Sequence, residues 1–308
     1  MENKARSIVN ILDLSVEEIN HLIETADAIE AHPEEYWDCC RHKKLATLFY
    51  EPSTRTRLSF EAAMLELGGS VLGFAGASNS SASKGESVAD TIKTVSNYAD
   101  IIAMRHPKEG APVVAANATS VPFINAGDGG HFHPTQTLAD ICTIKRTRGE
   151  LSGLTLGLCG DLKFGRTVHS LIYAMLRYPN NRYILISPKE LQVPEYIVDA
   201  LNAAGVEWEQ TASLEEAMPK LDILYMTRVQ KERFFNEEDY VRLKDTYILT
   251  PERLKNAKAD LSILHPLPRV NEISVKIDSD PRAKYFYQTL CGKHMRMALI
   301  LYLLGLEK

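Results

Sequence analysis

A chain of 308 residues, 45% hydrophobic and 24% charged, has enough apolar side chains for a full core and fits a soluble globular protein of two domains. Its 35 Lys and Arg against 40 Asp and Glu leave a net charge of -5 with no long basic run, which argues against nucleic acid or an anionic membrane as main partner and points to small ligands. Five cysteines (Cys39, Cys40, Cys142, Cys159, Cys291) are odd in number, lack CxxC spacing and lie mostly in apolar surroundings, so reduced thiols are expected and neither a disulfide nor a zinc site.

The opening MENKARSIVNILDLS has no signal-peptide apolar core, and the longest apolar run, 297–304, is far below the roughly 18 residues of a spanning helix, so a cytoplasmic protein is expected. Ser15 and Glu18 form a capping box, with Leu14 and Ile19 as hydrophobic staple, and Leu22, Ile23, Ala26 and Ile29 follow at helical spacing. An apolar strand over 44–50 ends at Pro52, and Leu58, Phe60, Ala62, Met64 and Leu65 continue as a helix closed by Gly68-Gly69. Between them Ser53-Thr54-Arg55-Thr56-Arg57 places three hydroxyls and two guanidinia at a helix N-terminus. There the unpaired N–H groups and the macrodipole favour an anion, and a phosphate can take amides, hydroxyls and an Arg fork together.

A strand over 70–74 and a small polar loop over 76–87 follow, the loop being too poor in apolar residues to pack a core. Next come a helix over 88–98, a strand over 100–104, Arg105-His106-Pro107, a short helix near 112–116 and a strand over 121–125. The glycine-rich 126–133 leads to Pro134, a good first helical residue, and an amphipathic helix through Ile144 that can join two domains. Past Gly149 the pattern restarts with a strand over 154–159, the turn 160–166, and a helix carrying Val168, Leu171, Ile172, Ala174 and Met175. Strands are expected over 183–187, 207–211 and 223–226, with helices over 195–204 and 214–221. After Arg228 the charged stretch VQKERFFNEEDYVRLK reads as a lid. A strand over 261–264 delivers His265-Pro266-Leu267-Pro268-Arg269, and the last helix takes Asp280 as cap, Pro281 as first residue and Gly305 past its end. The alternation of strand and helix predicts an α/β protein with parallel sheets.

In such sheets ligands sit at the carboxyl ends of strands, where residues 53–57, Arg105, residues 131–136, Arg166, and Arg228 with Gln230 all fall. One Arg after a strand is ordinary surface, but three of them with the first cluster make a site for a ligand with several negative charges. His131, His133 and Asp128 could ligate a metal; His133 beside Pro134-Thr135-Gln136 also fits a hydrogen-bond donor at a helix start, the preferred reading because no further His or Cys pair accompanies it. Gly157, Gly160 and Gly165 lack the close spacing of a dinucleotide turn. Phe286, Tyr287, Met295, Met297 and Tyr302 read as core or interface packing.

Taken together, Ser53-Thr54-Arg55-Thr56-Arg57, Arg105-His106-Pro107, His133-Pro134-Thr135-Gln136, Gly165-Arg166-Thr167-Val168-His169-Ser170, Arg228-Val229-Gln230 and His265-Pro266-Leu267-Pro268-Arg269 resemble the catalytic chains of the aspartate carbamoyltransferase family, nearly end to end. The resemblance implies two α/β domains, each a parallel sheet flanked by helices and joined by interdomain helices: 1–134 plus 285–308 for carbamoyl phosphate, 135–284 for aspartate. It implies carbamoyl transfer to L-aspartate, giving N-carbamoyl-L-aspartate and phosphate in pyrimidine synthesis, by a homotrimer with shared sites and without metal or cofactor. Phosphate would fall to Ser53, Thr54, Arg55 and Thr56, and the carbamoyl oxygen to Thr56, Arg105 and His133. Gln136 and the carbonyls of Pro266 and Leu267 would take the carbamoyl NH2. The aspartate carboxylates would fall to Arg166, Arg228, Gln230 and Lys84, with Pro268 closing that side. Arg55, Thr56, Arg105 and His133 would carry catalysis, which rests on positioning, charge neutralisation and domain closure.

The loop before Lys84 is one residue shorter than in the best-known members, so Ser80 or Ser81 could be the phosphate-contacting serine, with Ser81 preferred. Lys84 would reach a neighbouring chain's site. Residues 105–110 look like those of members that assemble with a zinc-containing regulatory chain. The alternatives are a transcarbamylase for another amino acid such as ornithine, where a cysteine follows the histidine that Pro266 follows here, or a non-catalytic phosphate-binding regulatory subunit.

Overall fold

The computed structural model describes residues 5–229 and 246–308, and the chain divides into two compact units, Met1–Ala139 with Thr289–Lys308, and Asp140–Gln288. The first unit is built on a parallel sheet of β1 (Ser7–Ile8), β2 (Lys44–Phe49), β3 (Ser70–Ala75), β4 (Ile101–His106) and β5 (Phe123–Asp128), in the order β1-β5-β4-β2-β3. Leu45, Ala46, Leu48 and Phe49 on β2 and residues 101–104 on β4 are all buried, the unbroken apolar run of a strand covered on both faces. The covering helices are α1 (Val16–Ala31), α2 (Thr54–Glu66), α3 (Val88–Val95) and α4 (Ala111–Ala118). Ser15 and Glu18 cap α1 reciprocally, each side chain taking the other's backbone N–H. From β2 the chain moves outward to β3 and then returns to the other side of β2 for β4. The order therefore reverses between β2 and β4, and a crevice opens at their carboxyl ends.

Helix α5 (Pro134–Arg148) begins in the first unit and ends in the second. The second unit repeats the plan with β6 (Thr155–Cys159), β7 (Arg182–Ile186), β8 (Glu207–Thr211), β9 (Ile223–Met226) and β10 (Ser262–Leu264), ordered β10-β9-β6-β7-β8 and again parallel. Its reversal lies between β6 and β9. Among the described residues its helices are α6 (Arg166–Met175), α7 (Glu195–Ala203) and α8 (Leu214–Ala217). The single helix expected over 214–221 gives way after Ala217 to a 3-10 turn, Met218–Lys220, because Pro219 has no N–H to continue the ladder.

The last helix, α9 (Tyr287–Leu304), corrects the expectation of a start at Pro281. Asp280 does accept the Arg282 N–H at 2.9 Å, yet Arg282 stays in a turn and Ala283 bridges to β10 instead of entering a helix. Ile263 donates to the Arg282 carbonyl, Lys284 donates back to Ile263, and Ile263 bridges Ala283. Pairing with an edge strand thus outcompetes the local helix signal. Gly305, at φ 64, ends α9, and Leu306 N–H returns to the Leu301 carbonyl. Among the described residues no helix is long and apolar enough to cross a membrane.

Candidate active site

At the carboxyl end of β2 the chain turns through Glu51 and Pro52 into α2. Ser53 stands at the N-cap position, but with φ -158 and ψ 87 its hydroxyl makes no capping bond, so the cap has not spent it on its own helix. Thr54 and Arg55 are exposed and Thr56 is buried. The two guanidinia have separate roles: Arg57 Nε lies 2.7 Å from Glu61 Oε1, which also accepts the Thr47 hydroxyl, so Arg57 is tied back along its own helix. Arg55 lies exposed at the helix start.

The β2–β4 register sets Phe49 opposite Arg105, and Tyr50 N–H donates to the Arg105 carbonyl. The Arg105 guanidinium, 15% exposed, carries an ion pair from Nε to Glu51 Oε1 at 2.7 Å and meets His133 Nε2 through Nη1 at 3.4 Å. Burial lowers the Arg105 pKa and the Glu51 carboxylate opposes that shift, so the group stays charged. Arginine has donors only, so His133 Nε2 is the acceptor here; to donate to an oxyanion it must take a proton at Nε2. Gly127 lies beside both. Its φ is +121, and a Cβ there would come 3.1 Å from Arg105 Nη1 and 3.3 Å from His133 Cδ2.

Asp128 supports the loop that delivers His133. Its Oδ1 accepts Asn125 Nδ2 and Phe132 N–H, and its Oδ2 accepts Gly110 N–H and faces His131 Nδ1 at 3.3 Å. The carboxylate is occupied as a hub of the turn, and among the described residues there is no group of three or more His, Cys, Asp or Glu placed to hold a metal. Gln136, half-buried in the first turn of α5, donates its backbone N–H to His133. The first unit thereby gathers residues 53–56, Arg105, His133 and Gln136 around its crevice. Ser81 and Lys84 lie exposed on a separate 3-10 turn after β3. The neighbouring Ser80 hydroxyl is engaged in that turn, donating to Ala77 and accepting from Ala82.

In the second unit Arg166 opens α6 and Arg228 follows β9, both half-buried at the β6/β9 reversal. The two strand ends are stitched together by Thr227, whose N–H donates to Cys159 and whose hydroxyl accepts Asp161 N–H at 3.0 Å. Gly160 permits this approach: at φ +119, a Cβ would stand 2.4 Å from the Thr227 carbonyl. His169 braces the turn before Arg166, donating from Nε2 to the Leu162 carbonyl at 2.7 Å and accepting the Tyr196 hydroxyl at Nδ1. Burial lowers its pKa, which keeps the ring neutral in that role. Pro266 and Leu267 are half-buried, Pro268 is exposed, and Leu267 sits at φ 53. Gln230 and most of the charged stretch read as a lid lie outside the described residues.

Models of aspartate/ornithine carbamoyltransferase match this chain over two successive stretches, the carbamoyl-P binding domain at residues 6–146 and the Asp/Orn binding domain at 152–303. The chain belongs to the aspartate/ornithine carbamoyltransferase family. It is 62% identical over 301 residues to the aspartate carbamoyltransferase catalytic subunit of Lachnoclostridium phytofermentans, covering 97% of this chain and 98% of that one. With the same subunit of Clostridium acetobutylicum it shares 60% over 303 residues, 98% and 99% of the two chains. Its fold overlays the catalytic subunit of M. jannaschii aspartate transcarbamoylase with TM-score 0.91 at 43% identity, covering 97% and 98%. Trypanosoma cruzi aspartate transcarbamoylase in complex with N-(phosphonacetyl)-L-aspartic acid overlays with TM-score 0.90 at 39% identity, covering 96% and 95%.

In this carbamoyltransferase several side chains that hold the arginines and the late turn in place were not singled out by sequence. Glu51 sits inside the first motif, where a lone carboxylate before an arginine cluster was the available signal. His169 is in plain view in the α6 motif, but its partners Leu162 and Tyr196 are visible only in three dimensions. Glu272, which accepts from His265 and from the N–H groups of Val270 and Asn271 in the late turn, belongs to no motif at all.

Proposed function

We propose that this chain transfers the carbamoyl group from carbamoyl phosphate to the amino group of L-aspartate, giving N-carbamoyl-L-aspartate and phosphate, as a step of pyrimidine synthesis. The observation that carries the reading is the Arg105–His133 contact across Gly127, at a strand-order reversal beside a helix start bearing Ser53, Thr54, Arg55 and Thr56. The high identity to catalytic subunits named for aspartate carbamoyltransferase, and a Trypanosoma cruzi relative in complex with carbamoyl aspartate and phosphate, support aspartate over ornithine as acceptor.

Residues 53–56 hold the phosphate at the positive end of α2. Thr56, Arg105 and His133 receive the oxyanion that develops as the uncharged amine attacks the carbamoyl carbon, each such donor contributing about 10² to 10³ in rate. Gln136 and the carbonyls of Pro266 and Leu267 orient the carbamoyl NH2. Phosphate leaves already neutralised, and either phosphate or solvent takes the amine proton. Arg166 and Arg228 bind the acceptor's carboxylates; two cations suit a dicarboxylate and repel the second amino group of ornithine. Gln230 and Lys84 complete the acceptor site, and Pro268 closes its side.

The reading includes a cytoplasmic homotrimer in which Ser81 and Lys84 serve the neighbouring chain's site, and a zinc-containing regulatory chain as candidate partner. Phosphate release from carbamoyl phosphate with a panel of amino acids tests the activity: turnover is expected with aspartate, and none with aspartate at millimolar concentration rejects the reading. Sizing of native-source material with and without a mercurial tests the regulatory partner.

A further inference from the structure

A buried histidine–carboxylate hydrogen bond underlies the late turn of the second unit. Glu272 and His265 are 3% and 2% exposed, and Glu272 Oε1 lies 2.7 Å from His265 Nε2. His265 Nδ1 accepts the Leu267 N–H at 2.8 Å, so the ring proton sits on Nε2 and is donated to Glu272. The other carboxylate oxygen accepts the N–H groups of Val270 and Asn271 at 3.0 and 3.1 Å. One carboxylate and one imidazole thus close a ring of hydrogen bonds around residues 265–271. His265 is pinned at its backbone too: its N–H donates to Gln288 Oε1, Gln288 Nε2 donates to Asp140, and the Tyr225 hydroxyl donates to the same carboxylate. Burial on its own raises the Glu272 pKa, but the hydrogen bond from His265 and the backbone donors outweigh it and leave the carboxylate ionised.

Burying a carboxylate beside a histidine is costly, and a packed apolar pair would serve the core at least as well. What an apolar pair cannot do is hold Leu267 at φ 53, where a residue with a Cβ is strained, and so fix the direction of two successive carbonyls. We propose that Glu272 is a positioning residue that, by setting the tautomer of His265, aims the Pro266 and Leu267 carbonyls at the carbamoyl NH2. This rests on the proposed function, which gives those carbonyls that role.

Glu272→Gln isolates the effect, since the amide has the shape of the carboxylate but only one acceptor oxygen. If its NH2 faces His265, the ring must move its proton to Nδ1, where it opposes the Leu267 N–H. If its oxygen faces His265, the NH2 opposes the N–H groups of Val270 and Asn271. Either arrangement sets donor against donor and loosens the turn.

The experiment compares the dissociation constants of carbamoyl phosphate and of inorganic phosphate for native protein and E272Q, with nitrogen-15 NMR of the His265 ring in the native protein. Carbamoyl phosphate binding is expected to weaken about tenfold, the loss of one good hydrogen bond, while phosphate, held by residues 53–56, binds as before. A merely structural role weakens both ligands alike and overturns the proposal, as does an unchanged ratio of the two constants. Should E272Q not fold, the native spectrum decides: a proton on Nε2 supports the pair and a proton on Nδ1 overturns it. Native protein that turns over carbamoyl phosphate while E272Q keeps the native ratio rejects the pair alone. Inactive native protein rejects the function, and the ring spectrum still tests the pair.

Discussion

Arg105 Nε lies 2.7 Å from Glu51 Oε1 while Nη1 of the same guanidinium meets His133, so one carboxylate orients the arginine against the histidine. Burial lowers the Arg105 pKa, with Glu51 the counterweight. Glu51→Gln is expected to cost about 1.5 to 3 kcal/mol of stability, as for loss of a hydrogen bond to a charged group. It should also lower kcat about tenfold or more by freeing the guanidinium to rotate. Urea unfolding and steady-state kinetics check both, and a variant with native kcat shows that Arg105 is aimed by something else.

Gly127→Ala adds one methyl group at φ +121, between Arg105 and His133. Neither neighbour can yield without leaving the other, and misplacement by about 1 Å costs on the order of 10²-fold. A fall of that size in kcat with phosphate affinity retained is expected. Native turnover in this variant means that the two side chains need not be held together.

Stability toward acid should report on Glu18. The Arg6 guanidinium, seconded by the Tyr302 hydroxyl and Ser15 N–H against the effect of burial, holds its carboxyl at about 2, below its ordinary 4.5. A depressed folded pKa means that the contribution is complete above about pH 4.5 and is lost as pH falls toward 2. Glu18→Gln should therefore be less stable than native protein at neutral pH, and the gap should close on acidification. Denaturant midpoints from pH 6 downward check this, and a gap that stays constant places the contribution elsewhere.

Strand and helix identities were legible because long apolar runs and caps act locally, as in β2 and the Ser15–Glu18 box. The start of α9 was not, since Asp280 and Pro281 carry a valid cap signal that loses to β10 pairing, a contact between residues far apart in sequence. Ser7 and Ile8 form too short a strand for any period to register. In the site, residues that carry charge toward a ligand stood out by density, as did Ser53 to Arg57 together. Their supports did not. Glu51 and Tyr196 are single polar residues whose partners come from other elements, and Glu272, though its partners lie within seven residues of it, is a lone carboxylate in an irregular turn; one residue has no pattern.

The exposed loop carrying Lys84 sets up a test of shared sites. Lys84 is exposed on a short turn ended by Gly85 at φ 91. Suppose each site uses Arg55 of one chain and Lys84 of the next. Homotrimers of Arg55→Ala alone, or of Lys84→Gln alone, then carry a lesion in every site and should be nearly inactive. When the two are dissociated, mixed and reassociated, every hybrid ring contains one junction joining an intact Arg55 to an intact Lys84, and activity should rise well above either parent. If Lys84 instead serves its own chain, each site in a hybrid still carries one lesion, and mixtures that show only the average of the parents reject the shared site.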